Sequence, residues 1–397
     1  MNRALPLLLA MALAACGDDT SDPPADGGPT DGGAPEGPFV TFETLTLSDE
    51  GGLFTAIAPV PGTEDEVFVT RYEGVIAHYR LEGTNATLLG EITVPEVFTL
   101  NDCGLLAVAA DPDFATNGFV FAGHCIEGST TRITRLTFTG DHAAASATAV
   151  TILEVPETRA RAPFNHNVSN IVFEPDGSMI VGVGDKGFPA NGQDTGTLAA
   201  AILRIEPSRA EGVGGYEPAA DNPDLGGSPE LFAIGARFPW RIEPLGDGRY
   251  WFGDVGESSF EEVNLLGAPG ENFGWNECEG PCDTAGLVDP LFRWDRSDAH
   301  PYVREDPDAL PTVRRSAWIG PVYPGGASDR YAGRLTGKVL FGDVCLGFVR
   351  AGAATEAGGV ASDEPVGHLA NAVGWAIRDG FYIGATFGSC DANDVFE

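Results

Sequence analysis

The chain repeats one small supersecondary unit: a run of β-branched and small apolar residues, a turn built on Pro, Asp or Gly, and a second such run that often ends in Gly-Asp. The unit reads TAIAPVPGTEDEVFVTRYEGVIAHYRL from Thr55, LAVAADPDFATNGFVFAGHC from Leu106 and NIVFEPDGSMIVGVGD from Asn170. It returns as RIEPLGDGRYWFGDVG from Arg241, GRLTGKVLFGDVCLGFVRA from Gly333 and GWAIRDGFYIGATF from Gly374. Each run has the β-branched, turn-bounded character of a strand, so each unit predicts a hairpin. Spread over about 360 residues, the repeats recur at a period near 60, longer than the shortest propeller repeats but suited to blades with long loops. A sandwich or a β-helix would show shorter and more even spacings. Helical periodicity is scarce, its best candidate being the short TGTLAAAILRI from Thr195. The expectation is an all-β chain: a six-bladed β-propeller of four-stranded antiparallel blades.

The first residues bear on compartment. Residues 1–15 carry Arg3 and then the apolar run LPLLLAMALAA, a secretory signal too short to span a bilayer. Leu-Ala-Ala-Cys, ending at Cys16, resembles a bacterial lipoprotein cleavage site, which would leave Cys16 as a lipidated first residue; an ordinary cleaved signal is the alternative. The rest of residues 16–38 is dense in Asp, Gly and Pro and nearly free of apolar side chains, so it lacks the means to fold. As flexible coil, about 21 such residues reach roughly 25 Å, a tether that holds a domain clear of a membrane. Residues 39–397 have no second linker of this kind and are expected to form one large domain, acting as a monomer. No later run approaches ~18 apolar residues, so any membrane attachment would rest on the lipid. The balance of 23 Lys plus Arg against 58 Asp plus Glu argues against nucleic acid or anionic lipid as a partner. Solubility is the simplest use of that charge.

Six cysteines follow Cys16, an even number in a chain expected to be exported, so disulfides are expected. Cys103 and Cys125 bracket a strand-turn-strand segment; if Ala110 faces Phe119 across the turn, the two cysteines come nearly opposite. Cys278 and Cys282 close the loop CEGPC, leaving Cys345 for Cys390. A four-ligand metal site would need closer pairs than these.

One hairpin carries chemistry. In FNHNVSNIVFEPDGSMIVGVGDKG, His166 stands at the entrance of the first strand and Asp185 at the exit of the second. The two ends of a hairpin lie side by side, so this carboxylate would orient the imidazole as a general base. A histidine that merely satisfies its own hydrogen bonds at a blade edge is the plainer reading of the hairpin alone.

The segments GLLAVAADPDFATNGFVF, QDTGTLAAAILRIEP, ELFAIGARFPWRIEP, WFGDVGESSFEEVNLLGAPGENFGW and GRLTGKVLFGDVCLGFV follow one another in the order of the hallmark segments of the glucose/sorbosone dehydrogenase family. The resemblance covers nearly all of residues 50–390. It implies the soluble quinoprotein sugar dehydrogenases, which use pyrroloquinoline quinone (PQQ) and calcium, or relatives without enzymatic activity. By that resemblance His166 matches the base that takes the sugar hydroxyl proton while hydride passes to the quinone, and Asp185 the carboxylate beside it. Arg237 matches the arginine over the cofactor, and Gln193 fits a polar cofactor contact. Calcium would rest on the backbone carbonyls of Gly256 and Glu257. Glu262 and Asp283, with the carbonyl of Phe273, resemble a second, structural calcium site.

The chain also departs from the family. Where the quinoprotein enzymes carry Asn after the central arginine, it has Phe238. The lysine and two arginines that clamp the anionic cofactor late in those enzymes correspond to Val344-Cys345-Leu346 and Asn371-Ala372-Val373, none of them cationic. PQQ carries three carboxylates, which would then rely on Arg237, Lys186 and calcium. Two functions follow. One is an exported oxidoreductase acting on an aldose or related alcohol and passing electrons to an acceptor; the other is a non-catalytic, lipid-anchored calcium-binding propeller that binds a glycan or a protein.

Overall fold

The computed structural model describes residues 9–14, 39–157, 164–297, 300–306, 308, 314–386 and 390. Cys16 and the 16–38 tether lie outside them. Six inner strands surround a central channel: Phe54–Pro59, Leu105–Ala110, Val168–Phe173, Pro239–Pro244, Ala317–Val322 and Ala372–Arg378. Each stands against the next, and the last against the first. From every inner strand the chain steps outward through antiparallel neighbours, which makes the molecule an all-β propeller of mainly four-stranded blades. Among the described residues helix is limited to short turns such as Phe114–Asn117 and His142–Ser146.

Five of the sheets are each built from one continuous stretch of chain. The remaining sheet is a composite, in which Ala372–Arg378 and Phe381–Thr386 are extended by Leu9–Ala14 and then by Val40–Thr44 from the other end of the chain. Counted by self-contained sheets there are five blades, against the six expected. Leu9–Ala14, inside the segment expected to be a signal peptide, is here a strand. Two sheets also carry a fifth strand: Thr46–Leu47, parallel to Asn85–Thr93, and Leu231–Ile234, beside Ala201–Pro207.

The fifth repeat copy is the expected strand pair and supplies the second and third strands of its blade, the inner strand being AWIGPV, whose Gly320-Pro321 interrupts the apolar pattern. Two expectations change. TGTLAAAILRI holds no α-helix; Ala201–Pro207 is a strand, paired on both edges, where branched Ile202 and Ile205 pack well. Ala110 pairs with Val120, one residue beyond Phe119, and a bulge between Leu105 and Ala107 restores the offset. Cys103 and Cys125 are therefore bonded, with Cα atoms 4.9 Å apart. Cys278–Cys282 and Cys345–Cys390 are bonded as well.

That bulge recurs at the same level around the channel. The register shifts at Phe54/Ala56, Leu105/Ala107, Val168/Asn170, Trp240/Ile242 and Ala372/Gly374. The residues bulged out are Thr55, Leu106, Ser169, Arg241 and Val373. Arg241, with φ at +69°, sends its guanidinium across the channel and donates to the carbonyls of the other four: Val373 at 2.8 Å, Leu106 at 3.2 Å, and Ser169 and Thr55. One charged side chain thus joins five of the six inner strands.

Candidate functional site

The hairpin of Val168–Phe173 and Met179–Val183 pairs Val168 with Val183, which brings the residues just beyond its open end together. His166 Nδ1 lies 2.6 Å from Asp185 Oδ1. The approach is tight: a Cβ on Gly184 would stand 2.6 Å from both the Cβ and the carbonyl oxygen of His166, so only glycine fits there. The backbone departs from ordinary conformations, with φ at +60° for Phe164, +49° for His166 and +58° for Lys186. Left-handed side-chain-bearing residues clustered in one place mark a segment held by its surroundings.

Those surroundings are polar and specific. Asp185 is 1 % exposed. Its Oδ1 also accepts the Gly187 N–H at 2.7 Å, and its Oδ2 accepts the indole N–H of Trp275 at 2.9 Å. Burial alone would raise this carboxyl, but the His166 hydrogen bond and charge, Arg237 and the Gly187 N–H hold it below its usual range. Nδ1 being engaged, Nε2 is the nitrogen left for another group, and Asp102 Oδ2 stands 4.0 Å from it. Asp102 also accepts the His166 backbone N–H at 3.0 Å. Burial pushes the Asp102 carboxyl up, against the pull of His166 and Arg237. Phe238 stacks on the imidazole, ring centroids 5.1 Å apart and planes 28° apart.

Arg237 is fixed from behind. Asp254 accepts its backbone N–H at 2.8 Å and that of Phe238 at 2.6 Å. Its Nη1 donates to the carbonyls of Val255 and Gly256, each at 2.9 Å, and its guanidinium carbon lies 5.5 Å from the centre of the Trp275 ring. The Nε atoms of Arg237 and Arg296 are buried without a hydrogen-bond partner.

His166, Asp185 and Arg237, expected together, are brought together. Four other expectations need correction. Lys186 does not face this site: its positive φ turns the side chain into the neighbouring blade, where Nζ donates to Ser129 O at 2.6 Å, Asn167 Oδ1 at 2.7 Å and Thr131 Oγ1 at 3.3 Å. Burial lowers it to about 8. Gln193 spends its amide on structure, donating to Trp275 O at 2.6 Å and Asn272 Oδ1 at 3.0 Å and accepting from Asn272 Nδ2 at 2.7 Å; it holds the loop that carries Trp275. The carbonyls of Gly256 and Glu257, expected to face calcium, accept instead from Arg296 Nη2 at 3.3 and 3.2 Å. Glu262 and Phe273 do meet, at a cavity of about 10 Å³ shared with Asp254, but Asp283 is exposed and outside it.

Glu262 already accepts from Gly280 N at 2.5 Å and Asn264 Nδ2 at 3.1 Å, and burial raises it to about 7. Among the described residues no group of three or more His, Cys, Asp or Glu is placed to hold a metal ion. Asp102, Trp275 and Arg296 belong to the site although sequence reasoning passed them over. Trp275 ends the segment WFGDVGESSFEEVNLLGAPGENFGW and Asp102 stands two residues before GLLAVAADPDFATNGFVF, while Arg296 carries no local signal.

Comparison with known proteins identifies the family and the fold. Residues 55–300 match the family described as Glucose / Sorbosone dehydrogenase. The HIPL1 protein of Arabidopsis thaliana is 35% identical over 138 residues, 30% of this chain; the chain covers 20% of that relative's length. The PQQ-bound aldose sugar dehydrogenase of Streptomyces coelicolor superposes with a TM-score of 0.64 at 22% identity, over 85% of this chain and 94% of that one. The apo-form soluble aldose sugar dehydrogenase of Escherichia coli gives 0.66 at 18% identity, over 85% and 94%. At these identities the two structures speak for the fold.

Proposed function

The chain belongs to the glucose/sorbosone dehydrogenase family, and on that premise we propose that it is a sugar dehydrogenase that oxidises an aldose or related alcohol with PQQ. The observation that carries the reading is the His166–Asp185 pair, with Nδ1 tied to a buried carboxylate and Nε2 left for a substrate hydroxyl. Asp185 keeps the imidazole in the orientation a base needs, and the Trp275 indole and Gly187 N–H keep Asp185 in place. The donor set suits the cofactor: Arg237 and Arg296 present two cations with unspent N–H groups to a group bearing three carboxylates, beside the ring faces of Trp275 and Phe238. When bound, PQQ supplies the carbonyl that accepts hydride. His166 would take the hydroxyl proton, Arg237 would hold the anionic edge, and Phe238 and Trp275 would limit water at the reacting face.

The carbonyls of Gly256 and Glu257 do not fit calcium as they stand, because a guanidinium lies on them. No step is assigned to the metal. A second reading, a propeller that only binds, is favoured by one observation: Val344, Cys345, Leu346 and Val373, where the late cationic clamp would sit, are buried and apolar. Titration of the protein with PQQ, followed by tryptophan quenching, and a sugar-dependent dye-reduction assay decide between them. Binding with turnover supports the dehydrogenase; no PQQ binding overturns it.

We also propose that the mature protein is exported and lipid-anchored through Cys16, and that the pair Ala372–Arg378 and Phe381–Thr386, which cleavage before Cys16 would leave without Leu9–Ala14, is the core of a sixth blade. Cys16→Ser is expected to move the protein out of the membrane fraction; unchanged partitioning would count against the anchor.

A further inference from the structure

We infer that Arg296 is a tethered cation that takes the place of a divalent metal on the Gly256–Glu257 turn. The turn is a small electrostatic device with two sides. On one side the Glu279 carboxylate gathers the backbone N–H groups of Glu257, Ser258, Ser259 and Phe260, at 2.9, 3.0, 2.8 and 3.1 Å from Oε1. That anion locks the turn, and the carbonyls of Val255, Gly256 and Glu257 then face the other way, a row of oxygens suited to a cation. Two guanidinium groups already occupy the row. Arg237 Nη1 takes Val255 O and Gly256 O, each at 2.9 Å, and Arg296 Nη2 takes Gly256 O at 3.3 Å and Glu257 O at 3.2 Å.

Arg296 is held there by more than the carbonyls. The same Nη2 lies 3.1 Å from Oε1 of Glu261, a side chain 1 % exposed whose other oxygen accepts the backbone N–H groups of Ala317 at 2.8 Å and Gly256 at 3.3 Å. Arg296 follows the last strand of its blade, Phe292–Asp295, so its reach to the turn is set by the sheet. A Ca²⁺ ion needs 6–8 oxygens at about 2.3–2.6 Å. It would have to expel Arg296 and stand beside Arg237, which shares Gly256 O. The protein therefore carries its positive charge at this edge of the site covalently, whatever its concentration of free calcium.

The consequence is measurable without quinone or sugar, so its outcome is independent of the dehydrogenase reading. A ligand that binds only when a side chain has moved away binds more weakly by the fraction of time the side chain is away. Removing the side chain restores the lost affinity. Calcium titration calorimetry, in a Glu262→Gln background that disables the neighbouring carboxylate cavity, compares Arg296 with Arg296→Ala. The expected result is no calcium uptake at the turn with Arg296 present, and in Arg296→Ala a new site at least about tenfold tighter. Thermal melts of the Glu262→Gln protein alone, in EDTA and in millimolar calcium, provide a check that does not depend on how the second variant folds: coincident melts are expected. A calcium-dependent rise in Tm there, or a calcium site of equal strength with and without Arg296, would overturn the assignment.

Discussion

Arg237 and Arg241 stand four residues apart and do opposite work. Arg241 is buried, sits at a bulge, and donates only to backbone carbonyls, those of Val373, Leu106, Ser169 and Thr55. Every one of those bonds closes the ring of inner strands. Arg237 is half-buried at the channel mouth, with two bonds to one turn, an aromatic neighbour and a buried Nε that has no partner. The same side chain is thus a fastener in one place and an instrument in the other. What separates them is whether the donors are spent on the fold.

The comparison breaks most visibly at Arg241. Arg241→Met should leave buried carbonyls from four strands without a donor and cost at least about 4 kcal/mol, or prevent folding, as read by urea denaturation. A loss under about 1 kcal/mol would remove the distinction. Next in size is His166→Gln, expected to slow dye reduction by at least ~10²-fold while leaving the denaturation midpoint nearly unchanged. Arg237→Ala sharpens the contrast further: about tenfold weaker PQQ binding by fluorescence titration, with a change in stability of roughly 1 kcal/mol or less. The smallest effect concerns acid. Asp185 is held below its ordinary value near 3.8, so its contribution is present above that pH and lost as pH falls through the lower folded value. Weakening the His166 contact, as in His166→Ala, should move the acid-unfolding midpoint slightly upward; a midpoint that moves down would contradict the linkage.

These contrasts also explain what the sequence disclosed. The His166–Asp185 pair was readable because a hairpin brings its ends together whatever surrounds it. Each repeat announced its strands for the same reason. Contacts between blades were not readable, because they depend on how the ring closes: Asp102, Trp275 and Arg296 reach the site from three other stretches of chain. Lys186 does not follow its neighbour Asp185 into the site, since at its positive φ the side chain reaches the next blade. The inner strand of the fifth blade does not show in the repeat pattern, because Gly320-Pro321 interrupts its apolar run. Arg241 stood in the repeat pattern as an ordinary strand residue, and nothing local tells that it spans the channel.

That crossing has an effect on transport. Below Arg241 lies a cavity of about 450 Å³, walled by the inner strands and containing Glu243. Burial lowers the guanidinium to about 9, which still leaves it charged at neutral pH. Arg241 therefore sets a fixed positive charge across the axis beside this cavity, an arrangement that disfavours the passage of protons and other cations. In the dehydrogenase reading proposed above, the proton taken by His166 would meet this charge on any path along the axis and would leave more easily to the solvent on the His166 side.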